Sequence, residues 1–595
     1  MGFRVAVGYS DADADDRVLR EVDFAIRLGP APASESYLSV ERVIAAAASC
    51  HADMIHPGYG FLSEDRRLAE AAEQANIIFV GPSSLVLRQL GSKGVAREIA
   101  QRLGVPTLAG YSGPNQTDEA FVAAVARLGY PVVFKPAGGG GGKGMAVARA
   151  DTEIIPALGL ARRAGRTAFG NADVILESYL ERVRHVEVQV LRDSYGNAAV
   201  LGDRDCSLQR RHQKIVEESP APGLDDRVRR ALHDSARAIM EDVAYLNAGT
   251  VEFVVSGNEY YFIEANPRLQ VEHPVTEVVW GVDLVEQQFR IAMGESVPSL
   301  DGPRGHAVEA RVYAEDPAED FRPSGGRLEH VSWPGGVRVD AGADEGAVVT
   351  AHYDGLIGKV IAHGTGRGSA LDKLADALRD CSILGAETNL AFLRRLVQDL
   401  AGTETLPTTD FIDSLGHIQR ARPTSSALAL AAALVASRNT PVAARQRIYL
   451  ADEQEAHLVA VELDGQATRA ANMEIAATSE PHEWLVNGQE AAAVKVGSRV
   501  WVDLDGNINS FESSPPERTR TASLTESATA PMAGRVISVK ASSGERVVAG
   551  QPVMALEAMK MELTIRADRD GTIRILSAEG DQVVQGTVLF QLVPE

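Results

Sequence analysis

The sequence contains little cysteine, no long apolar run and no excess of basic residues. Its three cysteines (Cys50, Cys206 and Cys381) lie far apart without metal-ligand spacing, which excludes a disulfide framework and a structural zinc site and is typical of a reducing compartment. The longest purely apolar run, residues 427–436, is far shorter than the ~20 residues that a membrane span needs. The first residues lack the basic-then-apolar order of a signal peptide. We therefore expect a cytoplasmic protein with no membrane partner.

The balance of charge limits the partners. The 595 residues include 59 Lys and Arg against 81 Asp and Glu, a formal net charge of −22. Because such a chain repels phosphate backbones, nucleic acid is a poor candidate partner. The contents of 45% apolar and 24% charged residues are ordinary for a globular protein, and the length corresponds to about four domains of roughly 150 residues.

Secondary-structure signals change along the chain. Short β-like runs at 3–7, 54–55 and 77–80 alternate with Ala/Glu/Arg-rich helical stretches, which is the pattern of a doubly wound α/β domain. Less regular alternation from about 130 to 410 predicts α+β lobes around a cleft.

The chain after residue 415 is rich in hairpin signals. An Ala/Leu-rich helix at 425–437 precedes Asp-Gly or Asn-Gly dipeptides at 464, 487 and 505. These dipeptides favour tight hairpins, so residues 440–511 should form a small antiparallel barrel or meander. Residues 512–529 have no apolar period and are rich in Ser, Thr and Pro, which predicts a linker.

The last segment contains an internal repeat with a lysine between its halves. GRVI and GERVVAG (534–550) recur as GTIR and GDQVVQG (571–586), which predicts a compact β-sandwich with internal two-fold symmetry. Lys560 lies between the halves, flanked by Met559 and Met561, whose soft side chains suit recognition by a modifying enzyme. The alternative is an ordinary exposed lysine on a hairpin. The repeat and the linker before it favour a modified carrier lysine; the resemblance described below implies biotin rather than lipoate, because a lipoyl domain usually has Asp-Lys-Ala at this place.

The glycine run GGGGGKGM (138–145), which includes Gly139, Gly140 and Gly141, predicts a phosphate-binding flap. A Walker A loop is excluded because Gly144 follows the lysine, and a Rossmann fingerprint is excluded because a strand rather than a helix follows. The run alone could equally be a flexible loop. Lys135, at the end of the strand before it, could reach nucleotide phosphates.

Two carboxylates on one predicted hairpin suggest a metal site. Folding the chain about the turn at 257–258 brings Glu252 nearly opposite Glu264, with Asn266 on the same face as Glu264. Such carboxylates repel each other unless a cation lies between them, and oxygen ligands suit Mg²⁺ or Mn²⁺. Continued extension would place every second residue from 264 to 272 in one polar row, suited to a small anionic substrate.

These motifs resemble those of biotin carboxylase in the ATP-grasp superfamily over almost all of residues 3–415. The matching segments are HPGYGFLSE (56–64), the glycine run, RDCSLQRRHQK (204–214), FIEANPRLQVEH (262–273) and YDGLIGK (353–359). The C-terminal segment ALEAMKME (555–562) resembles the biotinyl domain of biotin-dependent carboxylases, in which Lys560 carries the biotin.

The resemblance implies a role for each matching residue. The nucleotide is surrounded by Lys93, Lys135, Gly139, Gly140, Gly141, Glu177, Leu180, His185, Gln209 and His212. Mg²⁺ or Mn²⁺ is held by Glu252 and Glu264, with Asn266 beside it. Bicarbonate is held by Lys214, Arg268, Gln270, Val271 and Glu272. Glu272 acts as the base, with Arg268 as the positive neighbour that keeps it ionised, and Arg338 steadies the biotin enolate.

The resemblance also implies a fold and two departures. The expected fold is an α/β and α+β ATP-grasp carboxylase followed by all-β domains. The expected domains are 1–106 (N-terminal α/β), 107–305 (ATP-grasp), 306–415 (C-terminal lobe), 416–511 (helix and docking barrel), 512–529 (linker) and 530–595 (biotinyl). The first βα unit of the family is expected to be missing, and we hypothesise a start codon placed too late. Ser178 replaces a common lysine, which should tune ATP affinity.

The predicted function is the alpha subunit of an acyl-CoA carboxylase, of acetyl-, propionyl- or methylcrotonyl-type. The implied partners are a carboxyltransferase beta subunit, in a hetero-oligomer, and a biotin protein ligase. One alternative is a carrier and scaffold subunit with an inactive carboxylase half, which the intact catalytic residues oppose. Another is an ATP-grasp ligase for a different acid, which Lys560 and its domain oppose.

Overall fold

The N-terminal part alternates strands and helices, as predicted. The computed structural model describes all residues except 139–141, 143, 404–405, 437–443, 453–454, 465–466, 514–525, 532–533, 559–560, 584–585 and 594–595. Its first elements are β1 Ala6–Ser10, α1 Val18–Glu21, β2 Phe24–Gly29, α2 Val40–Ser49, β3 Met54–Ile55, α3 Arg66–Gln74, β4 Ile78–Phe79, α4 Ser84–Leu90 and α5 Lys93–Arg102. The first strand starts three residues later than predicted. The pairs β1–β2 and β3–β4 form two separate parallel ladders rather than one doubly wound sheet, and β3 and β4 have only two residues each.

A small antiparallel sheet carries the glycine run. Its elements are β5 Gly110–Tyr111, α6 Asp118–Leu128, β6 Val132–Pro136, β7 Ala146–Ala148, α7 Ile154–Phe169 and β8 Val174–Ser178. The strand order is β5-β8-β6-β7, and α6 and α7 contribute to its apolar core. The run joins β6 to β7, which pair with each other. The prediction of a loop between two strands, without a following helix, is confirmed.

One eight-stranded antiparallel sheet forms the centre of the carboxylase half. The elements in this part are β9 Arg184–Arg192, β10 Ala198–Arg210, β11 Gln213–Ser219, α8 Asp226–Asp242, β12 Asn247–Ser256, β13 Glu259–Asn266, α9 His273–Trp280, α10 Leu284–Ala292, β14 His306–Tyr313, β15 Glu315–Asp316, β16 Arg322–Pro323, β17 Gly326–Arg327, β18 His330–Ser332, β19 Arg338–Ala341, β20 Val348–Val349, β21 Leu356–Gly364, α11 Arg367–Asp380, β22 Ser382–Leu384, α12 Leu390–Ala401 and α13 Phe411–Ser414. The order is β13-β12-β9-β10-β11-β14-β21-β19. Strands β9 to β13 lie before residue 306 and strands β14, β19 and β21 begin at or after it, so one sheet spans the predicted boundary between the ATP-grasp domain and the C-terminal lobe. Long-range pairing therefore gathers residues from the whole range 184–364 on one sheet.

The next segment is a helix and a closed barrel. The elements are α14 Ser425–Val435, β23 Ala444–Ala451, β24 Ala456–Asp464, β25 Ala467–Ala470, β26 Met473–Ala477, β27 Glu483–Val486, β28 Gln489–Val496, β29 Arg499–Leu504 and β30 Asn507–Glu512. The strands close in sequence order, and α14 packs on their apolar core. Asn487 and Gly488 both have positive φ, as do Asp505 and Gly506, which is the backbone that a two-residue hairpin turn requires. The predicted barrel is confirmed.

A buried ion pair attaches the barrel to the carboxylase half. Arg394 on α12 donates to both carboxylate oxygens of Asp503 on β29, and each donor–acceptor distance is 2.8 Å. Its remaining nitrogen, Nε, donates to the Leu378 carbonyl over 2.8 Å. Leu384 and Trp501 pack beside this pair in a shared apolar cluster.

The C-terminal domain consists of two four-stranded sheets. Its strands are β31 Glu526–Thr529, β32 Gly534–Val539, β33 Arg546–Val547, β34 Pro552–Ala558, β35 Met561–Arg566, β36 Gly571–Ile575, β37 Gln582–Val583 and β38 Val588–Val593. The sheet orders are β31-β38-β36-β33 and β35-β34-β32-β37, with a common apolar core. The predicted sandwich is confirmed. Across the described ranges of the chain, no helix is long and apolar enough to cross a membrane.

Candidate active site

Two glutamates face each other at one edge of the eight-stranded sheet. The β12–β13 hairpin pairs Glu252 with Glu264, as predicted. Asn266 Nδ2 donates to Glu252 Oε1 over 2.8 Å, and Lys93, the first residue of α5, forms an ion pair with Glu264. Two carboxylates and an amide oxygen are hard ligands, so this set fits Mg²⁺ or Mn²⁺.

Lys214 on β11 lies at the centre of the cleft. Its Nζ is 2.7 Å from Glu187 Oε2, 3.2 Å from Glu252 Oε1 and 2.5 Å from Glu272 Oε1. The sequence reasoning missed Glu187, which is fully buried and whose oxygens lie within 4.8 Å of ligand atoms of His185 and Glu252. The signal that could have found it was the alternation of β9, because Glu187 follows His185 by two residues on the same face.

Glu272 is a buried carboxylate held between two cations. It is 1% exposed and lies immediately before α9. Burial opposes its ionisation, but Lys214 and Arg311, whose Nη2 is 2.9 Å from Glu272 Oε2, hold the pKa of its carboxyl well below the usual range. The predicted neighbour, Arg268, donates through Nε to Glu64 Oε1 at 2.6 Å, and against the effect of burial both Glu64 and Glu272 raise the pKa of its guanidinium. Arg311 lies on β14, and no sequence motif predicted that this strand would lie beside Glu272.

The polar row predicted from 264 to 272 does not continue as a strand. β13 ends at Asn266, Pro267 cannot donate to a ladder, and Glu272 has φ −84° and ψ 11°. The chain turns here towards α9, so the extended-strand prediction is wrong beyond Asn266. The side chains still converge, because Gln270 Nε2 donates to Glu252 Oε1 over 3.1 Å.

The predicted nucleotide-binding residues gather around Glu177 on β8. Lys135 Nζ is 2.6 Å from Glu177 Oε2, and Arg97 Nη1 is 2.7 Å from Glu177 Oε1. Burial opposes the ionisation of Glu177, but Lys135 and Arg97 lower the pKa of its carboxyl. His185 Nε2 is 2.8 Å from Glu252 Oε2, and Glu252 raises the pKa of this buried imidazole, against the effect of burial. Arg97 was not predicted, although it follows Lys93 by four residues on α5 and so shares its face.

The remaining nucleotide candidates lie around the same cleft. Gln209 is buried and stands opposite Lys214 in the β10–β11 ladder. His212 lies at the turn between these strands, and Leu180 follows β8 with its side chain half-buried.

Two described glycines of the flap, Gly142 and Gly144, fit closely against neighbouring side chains. Gly142 has φ +70°, and a Cβ there would lie 2.5 Å from His212 Cβ. Gly144 has φ +77°, and a Cβ there would lie 2.3 Å from Ala164 Cβ. Side chains are therefore excluded at both positions. Residues 139–141 lie outside the described residues.

Arg338 lies near the cleft, between two carboxylates. Its Nη1 is 2.7 Å from Glu277 Oε2, and Nε and Nη2 are 2.8 Å and 3.0 Å from the two oxygens of Asp340. Burial disfavours the cation, but Asp340 and Glu277 raise the pKa of its guanidinium. Arg338 also lines a cavity of about 490 Å³ with His273. Arg338 is therefore held by two carboxylates beside this cavity.

The candidate carrier residue lies on the other half of the chain. β34 ends at Ala558 and pairs in register with Met561, the first residue of β35. Lys560 itself lies outside the described residues.

Four stretches of the chain match known families. Residues 1–87 match the family described as biotin carboxylase, N-terminal domain, and residues 309–414 match its C-terminal domain. Residues 92–300 match the ATP-binding domain of the carbamoyl-phosphate synthase L chain, and residues 526–592 match the family described as biotin-requiring enzyme.

Some relatives match the whole chain, and others match about two thirds of it. It is similar to the mitochondrial methylcrotonoyl-CoA carboxylase subunit alpha of Rattus norvegicus, with 36% identity over 100% of this chain and 90% of the relative. Biotin carboxylase of Pseudomonas aeruginosa is 46% identical over 67% of this chain and 90% of that protein. The biotin carboxylase domain of Hydrogenobacter thermophilus 2-oxoglutarate carboxylase, solved with MgADP and bicarbonate, matches with a TM-score of 0.68 and 36% identity, over 70% of this chain and 93% of that chain.

Proposed function

This chain belongs to the family of biotin-dependent acyl-CoA carboxylase alpha subunits, and on that premise we propose that residues 1–415 carboxylate a biotin carried on Lys560, using ATP and bicarbonate. The observation that carries the assignment of roles is the position of Lys214, whose ammonium lies between Glu187, Glu252 and Glu272. Phosphoryl transfer depends on fixed charges around the reacting oxygens, and this cluster supplies them. We keep the domain division predicted above as part of the proposal, except that Glu512 ends the last barrel strand and Glu526–Thr529 is a strand of the C-terminal sandwich rather than part of the linker.

The proposed reaction begins at the bicarbonate site. Glu272 removes the bicarbonate proton, and the resulting oxygen attacks the γ-phosphorus of ATP, which gives ADP and carboxyphosphate. Carboxyphosphate then decomposes to CO₂ and phosphate. Lys214, Arg268 and Gln270 orient the bicarbonate, together with the backbone of Val271. Lys214 and Arg311 lower the pKa of Glu272 against the effect of burial, so Glu272 is a carboxylate before the proton is transferred.

The nucleotide is placed by a separate set of side chains. In the proposed complex, Lys93 and Lys135 leave their present carboxylate partners to meet the phosphates, and the flap covers them. The other members of this set are Gly139, Gly140, Gly141, Glu177, Leu180, His185, Gln209 and His212. Glu252, Glu264 and Asn266 would hold Mg²⁺ or Mn²⁺, which neutralises charge on the transferring phosphoryl group. Glu187 orients Lys214.

Arg338 is proposed to act at the acceptor end. Biotin, when bound, would supply a ureido nitrogen that gives up its proton to the phosphate released from carboxyphosphate and forms a bond to CO₂. Arg338 borders a cavity and is oriented by Glu277 and Asp340, so it can hold negative charge there. The alternative of a carrier with an inactive carboxylase half is not favoured, because the charged residues of the cleft are present and paired.

We propose that a separate carboxyltransferase beta subunit completes the reaction on an acyl-CoA and docks on the barrel region 416–511. This is supported by the alpha-subunit relatives and by the barrel lying between the carboxylase half and the carrier domain. A biotin protein ligase would modify Lys560. We propose the cytoplasm as the compartment, since Cys50, Cys206 and Cys381 are all free thiols.

The test is bicarbonate-dependent ADP release with free biotin as acceptor. The unmodified chain should be active, and Glu272→Gln should lower the rate of ADP release about 10³-fold. The surface control Glu286→Gln should keep the rate of the unmodified chain. Mass spectrometry after treatment with biotin ligase should place one biotin on Lys560, and Lys560→Arg should prevent it. An inactive unmodified chain that still accepts biotin would support the scaffold alternative.

A further inference from the structure

The turn between β10 and β11 has a backbone conformation that its own residues disfavour. Arg210 pairs with Gln213 in the ladder, so Arg211 and His212 are the two residues of the turn. Both have positive φ, 49° and 68°. Turns with positive φ at both positions are formed mainly by asparagine, aspartate and glycine, because other side chains are crowded in the left-handed region. The turn therefore depends on contacts with the rest of the chain.

Asp320, in the loop between β15 and β16, supplies such a contact. Its two carboxylate oxygens bind different arginines of the turn. One oxygen forms an ion pair with Arg210, and Oδ2 lies 2.5 Å from Arg211 Nη2. Burial and repulsion by Arg211 lower the pKa of the Arg210 guanidinium, and Asp320 acts against both effects. One carboxylate therefore neutralises two adjacent cations that repel each other.

Phe321 anchors the Asp320 loop in the core of the C-terminal lobe. It is 3% exposed, and its ring meets that of Phe392 at 88° with the centroids 5.2 Å apart. The guanidinium carbon of Arg210 lies 4.5 Å from the centroid of the Phe321 ring, which is a cation–π contact. Because the loop is held by this core, Asp320 is a fixed point for the two arginines.

The turn places His212 among the residues proposed to bind the nucleotide. A Cβ on Gly142 would lie 2.5 Å from His212 Cβ, so the turn and the flap are in contact. The His212 side chain is exposed in the open cleft. Desolvation by surrounding protein atoms and repulsion from Lys135, His185 and Lys93 nevertheless lower the pKa of its imidazole from 6.5 to about 4. A shift of the turn would move this ring relative to the three cations.

We propose that Asp320 is a positioning residue that holds the β10–β11 turn against the flap and so sets His212 for the nucleotide. This rests on the function proposed above, from which the nucleotide site is taken. Exposed ion pairs contribute little to stability, so the expected effect is on the placement of His212 rather than on the fold. Lys214 is held by three glutamates of its own, so the bicarbonate end should not respond to the loss of Asp320.

The experiment compares Michaelis constants in the full-length chain, measured by bicarbonate-dependent ADP release. Asp320→Gly removes the carboxylate and keeps a residue that tolerates the positive φ of 60° at this position. It should raise the KM for ATP at least fivefold, while kcat and the KM for bicarbonate change less than twofold. The control is Glu319→Gln, which alters the neighbouring exposed acid, whose carboxylate is 3.8 Å from Arg322. It should leave all three constants unchanged.

A second substitution in the turn separates positioning from overall stability. Asparagine is favoured at the first position of such a turn. Arg211→Asn, combined with Asp320→Gly, should therefore return the KM for ATP to within twofold of the unmodified chain, although the ion pairs are still missing. A KM for ATP that stays at the Asp320→Gly value would overturn the inference.

Hydrogen exchange measures the turn without turnover. Exchange in the peptide covering residues 208–214 should be faster in Asp320→Gly and unchanged in Glu319→Gln. Unchanged exchange in Asp320→Gly, or equal rises in the KM values for ATP and bicarbonate, would also overturn the inference. If Asp320→Gly does not fold, Asp320→Asn removes the charge with little change of shape and carries the same comparison. Faster exchange in the variant, together with an inactive unmodified chain, would instead count against the proposed function.

Discussion

The carboxylase cleft and the C-terminal sandwich are stabilised by opposite means. The cleft holds charged side chains that are each at most 3% exposed, among them Glu187, Arg204, Glu217, Glu272, Glu309 and Lys359. In the described part of 526–593, the buried side chains are apolar except for Ser577. A buried charge is strongly destabilising when it is unpaired and contributes little net stability when it is paired, whereas an apolar core stabilises directly.

This difference corresponds to two tasks. Phosphoryl transfer needs charges that are oriented before the substrate arrives, and the cleft retains them in mutual pairs. A carrier needs only to hold one hairpin rigidly on a small domain. Substitutions in one region should therefore leave the other unaffected.

The largest expected effect comes from Lys214→Met. This change leaves Glu187, Glu252 and Glu272 without their common cation, and the rate of bicarbonate-dependent ADP release should fall about 10³-fold. Biotin incorporation, measured by intact mass, should stay unchanged. A fall of less than tenfold, with Lys373→Met as the control, would remove Lys214 from the centre of the reaction.

Phe590→Ala tests the apolar core of the C-terminal sandwich. Phe590 is fully buried in the sandwich core, and its truncation should destabilise this domain by about 3–5 kcal/mol. Biotin incorporation should fall, while ADP release with free biotin stays constant. The exposed Leu576→Ala is the matched control. Parallel loss of both activities would show that the two regions fold as one unit.

Acid should weaken the carboxylase half through His273. Burial lowers the pKa of His273 from 6.5 to about 3, with Lys359 and Arg338 acting in the same direction. Between these values the unfolded chain binds more protons than the folded one, so stability falls as the pH drops through this window. At pH 5 the loss should be about 2 kcal/mol. His273→Asn should flatten the dependence of the urea midpoint on pH between 7 and 5, and exposed His352→Asn should leave it unchanged.

The smallest effect is expected for Glu309→Gln. Burial, together with repulsion from Glu217, raises the pKa of Glu309 despite the nearby Lys359. A carboxyl that holds its proton resembles a carboxamide in shape and charge, so stability should change by less than about 1 kcal/mol. The comparison is with Glu272→Gln under the same denaturant titration. A large loss for Glu309→Gln would mean that this carboxyl is ionised.

The parts of the site that the sequence predicted are those fixed by local geometry. The turn at 257–258 sets the register of the hairpin and so brings Glu252 near Glu264, and a register shift between Glu252 and Phe253 then places Glu252 opposite Glu264 instead of Ile263. The flap follows from strands on both sides of a glycine run. Arg311 and Lys359 could not be predicted in this way. They reach Glu272 and Val271 through the order of strands in an eight-stranded sheet, which depends on pairings far apart in sequence.

The Arg394–Asp503 pair affects the concentration of attached biotin that the carboxylase cleft meets. Because the barrel is fixed to the carboxylase half, the tether of the carrier starts from a fixed point at Glu512. Thirteen residues separate Glu512 from Glu526, a reach of at most about 50 Å. A single biotin confined to such a volume has an effective concentration on the order of millimolar. Diluting the enzyme a thousandfold should therefore leave the carboxylation rate of its own biotin unchanged, while the rate with added free biotin depends on how much is supplied.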